Sequence, residues 1–283
     1  MKTIICPVDF SPNANNAALY ATQVGNEFNS RILLVHVYES PILLTEASVE
    51  ISWDLGIAIK ENAEKRMEAL RNNLLSKNKG VFIDTKIIEG FPAPEICSLA
   101  IAENADTIIM GATGKGKAQR MIIGSTASKV MSDARCPVLL IPRLTKYKGI
   151  KKIVIATDLN KDNLALAKQI VPFARHFNAE IAFVFVDDKH LIHSEEYIAK
   201  MSGKIRSHVH YQKLSGYVSE NKSVSDGINY FVKKHSADLL VMFKHKKLFP
   251  GSFLNPSITK KMSFITKIPL LSIPVETSIL AEA

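Results

Sequence analysis

The chain has 283 residues, of which 47% are hydrophobic and 22% charged, with a formal net charge of +9. At roughly 100–200 residues per domain that length suggests two domains, and the composition excludes a disordered chain, which is too polar to bury a core. No run approaches the roughly 18 uninterrupted apolar residues of a membrane span, and the opening Met1–Pro7 reads as a strand without signal-peptide features.

In chain order, short apolar runs predict strands near 2–8, 31–37, 81–88, 106–110 and 137–141, alternating with helical patterns near 13–28, 50–78, 93–104 and 125–134. Ser11-Pro12-Asn13 ahead of Ala17-Ala18-Leu19 is a helix start. Continuous apolar runs are expected of strands covered on both faces, as in parallel sheets. The alternation then predicts right-handed βαβ units. From about residue 150 the pattern begins again. With Asp9 aligned to Asp158, Lys2–Asp9 faces Lys151–Asp158, Phe28-Asn29 faces Phe177-Asn178 and Ile32–Val37 faces Ile181–Val186, all at an offset of 149. Further on the offset is 132: Ala105-Asp106 faces Ala237-Asp238, Ser125 faces Ser257 and Ile141-Pro142 faces Ile273-Pro274. The chain is a tandem duplication of a five-stranded, doubly wound α/β domain, joined near 143–149, and the second copy is 17 residues shorter in its middle.

Ligands of open α/β sheets sit at the carboxyl ends of the strands, where strand order reverses. Asp9 ends the first strand. Gly111 follows the fourth and opens Gly-Ala-Thr-Gly-Lys-Gly-Lys, and Gly124-Ser125-Thr126 opens the next helix. Glycines permit positive φ and close approach of a ligand. Successive backbone N–H groups form an anion-binding concavity, and a helix N-terminus favours phosphate. Lys115, Lys117 and Arg120 add positive charge. A Walker A loop is excluded because Ala118 stands where Ser or Thr must ligate Mg²⁺, and a Rossmann fingerprint because Gln119 replaces the third glycine.

The spacing Gly111-x2-Gly114-x9-Gly124-Ser125 resembles the ATP-binding signature of the universal stress protein family. The resemblance runs through both halves. Pro7-Val8-Asp9-Phe10-Ser11 is similar to the family's first strand end, and Gly90-Phe91-Pro92 to its turn after strand three. It implies a sheet of order 3-2-1-4-5 in each copy, with a nucleotide-binding domain at 1–144 and a degenerate one at 150–276. It assigns adenine and ribose contacts to Asp9, beside Pro7 and Val8, and to Val37. It assigns the phosphates to Gly111, Ala112, Thr113, Gly114 and Lys115 and to Gly124, Ser125 and Thr126. The implied ligand is ATP, ADP or AMP, with Mg²⁺, and the implied role is that of a cytoplasmic stress-response regulator. Single-domain members dimerise, so a tandem chain implies an internal pseudo-dimer through the strand-five edges 137–141 and 269–273, with a further homodimer left open.

The second copy departs from the signature: Phe243, Lys246 and Pro256 replace the three glycines, so that copy is expected to be structural or partner-binding. Its 19 Lys and Arg against 12 Asp and Glu (residues 149–283) leave a basic module for nucleic acid or an acidic protein as one alternative function, although a solvated surface is the expected reading and nucleic acid is not the expected partner. A slow ATPase or autophosphorylating enzyme is another, but the loop offers no carboxylate base, so binding without catalysis is expected. His190-x2-His193 is read as surface residues and not as a metal site. Cys6, Cys97 and Cys136 are read as packed hydrophobes in a reducing compartment. In the long amphipathic stretch after the second strand, Trp53 and Leu55 are expected to pack in the core, with a cover over the crevice or a partner surface as the alternative.

Overall fold

The computed structural model describes residues 1–39, 49–113, 123–157, 163–188, 194–244 and 267–274, and the side chains of all of these except 49–54 and 244. The chain divides into two compact units, Met1–Tyr147 and Lys148–Ala283. The first runs β1 (Thr3–Pro7), α1 (Pro12–Phe28), β2 (Arg31–Tyr38), α2 (Val49–Lys77), β3 (Phe82–Glu89), α3 (Pro92–Ala102), β4 (Thr107–Gly111), α4 (Ser125–Asp133) and β5 (Val138–Ile141). The second runs β6 (Lys152–Thr157), α5 (Asn163–His176), β7 (Glu180–Asp187), α6 (Ser194–Val209), β8 (Leu214–Glu220), α7 (Val224–Lys234), β9 (Leu239–Lys244) and β10 (Leu270–Pro274).

All the pairings within each unit are parallel, in the orders β3-β2-β1-β4-β5 and β8-β7-β6-β9-β10, which is the 3-2-1-4-5 arrangement expected from the sequence. Inner strands are apolar on both faces because helices cover both. Ile4, Ile5 and Cys6 of β1, and Ile153, Val154 and Ile155 of β6, are wholly inaccessible. The outer strands β3 and β8 depart from the expected continuous apolar run. Phe82, at the start of β3, is 77% exposed; β3 buries only Ile83, and β8 has exposed residues between its covered ones. Each ends its unit's strand order, so only part of each face is covered.

The duplication extends to single hydrogen bonds. Asp106 Oδ2 accepts the amides of Lys2 (2.6 Å) and Thr3 (2.9 Å), and Asp238 Oδ2 accepts those of Lys151 (2.8 Å) and Lys152 (2.9 Å). Each carboxylate thus ties the start of its unit's central strand to the strand that follows it. Asn29 and Asn178 both end the first helix of their copy in the left-handed conformation, at φ 50° and 53°, as the short polar side chain of Asn allows. The missing residues also have a place. From the end of β2 at Tyr38 to the start of β3 at Phe82 is a step of 44 residues, and from Asp187 to Leu214 a step of 27. The whole difference of 17 lies in this crossover, where the 29-residue α2 is matched by the 16-residue α6.

Burial raises the pKa of the Asp106 carboxyl, but the amides of Thr3 and Lys2 outweigh it and hold the group below its ordinary value. A depressed carboxylate contributes stability that is present above the unfolded pKa and lost as pH falls through the folded one. Asp106→Asn is therefore expected to cost on the order of 1 kcal/mol at neutral pH, solvent screening included. Urea unfolding should show the difference from wild type vanishing below about pH 4; a pH-independent difference would put the effect down to packing.

Candidate functional site

Strand order reverses between β1 and β4, and the first unit opens a cleft there. Parallel strands offer alternate residues to alternate neighbours. Lys2 and Val8 bond toward β2 (Arg31 N to Lys2 O, Val8 N to Val35 O), and Thr3 bonds toward β4 (Asp106 N to Thr3 O). Pro7 therefore presents toward β4 the position where an N–H would donate, and it has none. The β1–β4 register stops at Ile5↔Ile108, while β1–β2 continues to Pro7↔Val35. The strands part at the proline, and a cleft of about 280 Å³ lies beyond it.

Of the residues singled out in the sequence, Pro7, Val8, Asp9, Val37, Gly111, Thr113, Gly124, Ser125 and Thr126 all line this cleft. Ala112 is buried at its edge and is not in the lining. Gly114 and Lys115, with Lys117 and Arg120, lie outside the described residues. Ala14, Val35, Pro92, Ile96, Met110 and Ala127 complete the walls. Sequence reading missed these six because apolar residues at element ends look like ordinary core.

The β1–α1 turn is fixed tightly. Ser11 caps α1, its Oγ accepting from Ala14 N at 3.1 Å, and its own amide donates to Asp9 Oδ1 at 2.9 Å. Phe10 adopts φ 60° and packs against His36 with ring centres 4.5 Å apart and planes tilted by 44°, while the Arg66 guanidinium lies 4.3 Å above the Phe10 ring. His36 Nδ1 is 2.7 Å from Val8 O. A carbonyl can only accept, so Nδ1 carries the hydrogen. These contacts hold Val8 and Asp9 at the mouth of the cleft.

Across the cleft stands the start of α4. Its N-cap, Gly124, has no side chain to cap with, unlike Ser11 on α1 and Ser223 on α7. The first turn of α4 lines the cleft, and a helix start with free N–H groups and the positive dipole end favours negative charge. The root of the loop before α4 is held on three sides. Ala112 N–H donates to Ile141 O (2.9 Å), Ala112 O accepts from Gly124 N–H (2.9 Å), and Thr113 O accepts from Asn13 Nδ2 (2.7 Å).

The expected role of the glycines needs correction. Neither Gly111 nor Gly124 has positive φ; Gly124 sits at φ −63°, ψ 152°, open to any residue. Among the described glycines of the motif set, Gly90, before α3, has positive φ, at 146°. At Gly111 the missing side chain makes room for protein: a Cβ there would lie 2.7 Å from Asn13 Nδ2. In the second unit Phe243 takes the same register position, opposite Ile273 of β10 as Gly111 is opposite Ile141, and its ring is wholly buried. Asp158, His190, His193, Lys246, Pro256 and Ser257 lie outside the described residues. Leu55 is 44% exposed, which contradicts core packing for it: it sits near the start of a helix that covers the sheet with other positions, Ala63, Met67 and Leu74. The side chain of Trp53 lies outside the described residues. Among the described residues no group of three His, Cys, Asp or Glu comes together, and no helix is long and apolar enough to cross a membrane. Burial pushes the Cys6 thiol up to about 12.

Two copies of a doubly wound parallel domain, the first with a crevice at its switch point, define a tandem α/β protein. The chain matches the universal stress protein family over residues 1–142 and again over 149–274, and it belongs to that family. A universal stress protein of Thermus aquaticus is 36% identical over 141 residues, 50% of this chain and 98% of that protein. One of Methanocaldococcus jannaschii is 34% identical over 147 residues, 51% of this chain and 84% of that protein. The crystal structure of a universal stress protein from Archaeoglobus fulgidus shares the fold with a TM-score of 0.71 at 15% identity, covering 96% of this chain and 98% of that one.

Two outcomes follow from this packing. Gly111→Ala should cost about 1–3 kcal/mol in urea unfolding through overpacking against Asn13, and less on an Asn13→Ala background; equal cost on both backgrounds would place the strain elsewhere. The Cys6 thiolate is suppressed, so in the native protein Cys6 should resist iodoacetamide at pH 8 and react once urea unfolds the chain. Alkylation at equal rates in both states would contradict its burial.

Proposed function

We propose that the first unit binds an adenine nucleotide, ATP or its ADP or AMP forms, and that the chain acts as a nucleotide-binding regulator and not as an enzyme. The observation that carries this reading is the composition of one cleft. A carboxylate, Asp9, stands on one side and an α-helix start without a capping side chain on the other, with apolar walls of Val8, Val35, Val37, Ile96 and Met110 between. Apolar walls with a few placed polar groups suit a planar base. Asp9 offers acceptor oxygens to ribose hydroxyls or an exocyclic amine, and the N–H groups of Ser125 and Thr126 suit phosphate. The family resemblance assigns the same residues the same roles. Mg²⁺ would accompany ATP through its phosphates.

The second unit is, on this reading, structural or partner-binding. Buried Phe243 stands where the first unit keeps a glycine, so a bulky side chain occupies the position that is bare in the first unit. Nucleotide in the first unit would then favour one conformation or one partner surface by its differential affinity for it.

Calorimetric titration with ATP and Mg²⁺, repeated with AMP, should give close to one site per chain. Gly124→Val, at a backbone conformation valine accepts, should weaken ATP by about tenfold or more while the melting temperature without ligand stays near wild type. Unchanged affinity in that variant, or absence of binding by the wild type, would overturn the reading. Steady phosphate release lost in Ser125→Ala would instead make the protein a slow ATPase.

A further inference from the structure

Asn13 belongs to no motif and to none of the roles assigned above, yet its environment is unusual. It is 94% buried by its 6% exposure, in the first turn of α1. Its Nδ2 donates to Thr113 O at 2.7 Å and to Thr113 Oγ1 at 3.1 Å. Because Thr113 O can only accept, the amide orientation is fixed with nitrogen toward the loop. Its Oδ1 then has no hydrogen-bond partner. A buried acceptor left without a donor is costly, and an arrangement that tolerates this cost has something to keep. What it keeps is contact between α1 and the second residue of the loop that leaves β4. The side chain reaches Thr113 by crossing directly over Gly111, where a Cβ would meet it at 2.7 Å.

We propose that Asn13 is a positioning residue for the phosphates of the bound nucleotide: a strut from α1 that sets the height and direction of the backbone at Thr113. The inference rests on the nucleotide reading of this cleft and deepens it. Thr113 lines the cleft together with Gly124, Ser125 and Thr126, so the strut fixes one wall of the phosphate region against the other. The remaining two ties at the loop root are backbone to backbone, Ala112 to Ile141 and to Gly124. Asn13 is the side-chain tie among these three, and hence the one that substitution can remove. The same α1 begins at the turn held by Asp9 and Ser11, so base side and phosphate side are referred to a single rigid helix.

The test compares ligands with and without phosphate. Wild type, Asn13→Ala and the isosteric Asn13→Asp, which has no N–H to give Thr113 O, are titrated with ATP–Mg²⁺ and with adenosine. A strut that sets the phosphate wall predicts that ATP affinity falls about tenfold or more in both variants, while adenosine affinity stays within about twofold. A merely structural role would weaken both ligands together, and that outcome overturns the proposal. So does an unchanged ATP affinity in Asn13→Asp, which keeps the volume should Asn13→Ala fold poorly. If wild type binds adenosine and ATP equally well, phosphate is not recognised and the strut has no such task. If wild type binds neither, the nucleotide reading itself fails and this inference with it, a result distinct from a variant that behaves like a binding-competent wild type.

Discussion

The constraint on which the first unit depends is parallelism. When every strand runs the same way and every crossover carries a helix, all carboxyl ends collect along one edge of the sheet. Between β1 and β4 the order reverses, the flanking helices diverge, and a gap opens at that edge. Polar and charged residues that the core would not tolerate are admitted there: Asp9 after β1, Thr113 after β4, and the bare first turn of α4. Pro7 sharpens the gap. Residues of β1 alternate between β2 and β4, and the position that lacks a donor faces β4. The ladder stops two residues short of the strand end on that side alone.

The same logic explains why the helix starts of this domain are treated differently. α1 and α7 have serine caps that accept from the third residue beyond, closing their first turns. α4 has glycine, which leaves the donors of its first turn to whatever lies in front of them. A serine in place of Gly124 would satisfy those donors from within and weaken the site for an external anion. α3, whose N-cap Phe91 makes no side-chain cap either, begins with Pro92 and so has one N–H fewer to satisfy, whereas Ser125 and Thr126 of α4 keep theirs.

Much of this was legible in the sequence. The duplication and the position of the crevice follow from apolar runs, a 149-residue offset and turn residues at strand ends, all of them local or periodic signals, and the strand order from the family resemblance. Most of the residues expected to surround the ligand do line one cleft. What was not legible was why particular residues are there. Gly111 reads as a glycine kept for a ligand, yet its missing Cβ is filled by Asn13, about a hundred positions away in sequence. Asn13 itself reads as helix-start chemistry, one polar residue beside Ser11 and Pro12. Such roles depend on which side chain of a distant element crosses a given backbone, and periodicity carries no information about that. The exposed polar character of β3 was missed for a related reason: whether a strand is central or outermost is a property of the sheet, while its own sequence shows only eight residues.

The second unit keeps the fold while departing from the first at the strand ends that frame the cleft. Its clamp at Asp238, its helix ends at Asn178 and Ser236 and its strand order repeat those of the first unit. These features are held by the need to satisfy backbone groups, and any copy that folds must retain them. The crevice is held by nothing of the kind. Where the first unit has Pro7, the second has Ala156, whose N–H is available on the corresponding side, and the β6–β9 register runs three pairs, to Ile155↔Val241, against two for β1–β4. Where the first has Gly111, the second buries Phe243 completely. Both changes favour folding locally, one by extending a ladder and the other by burying an aromatic ring worth roughly 2–3 kcal/mol of apolar area. Both gains come from the strands themselves and need no ligand. The first unit instead keeps a proline and a glycine at these two positions, with the buried Asn13 Oδ1 beside them, and these local costs accord with the ligand-binding reading proposed for its cleft.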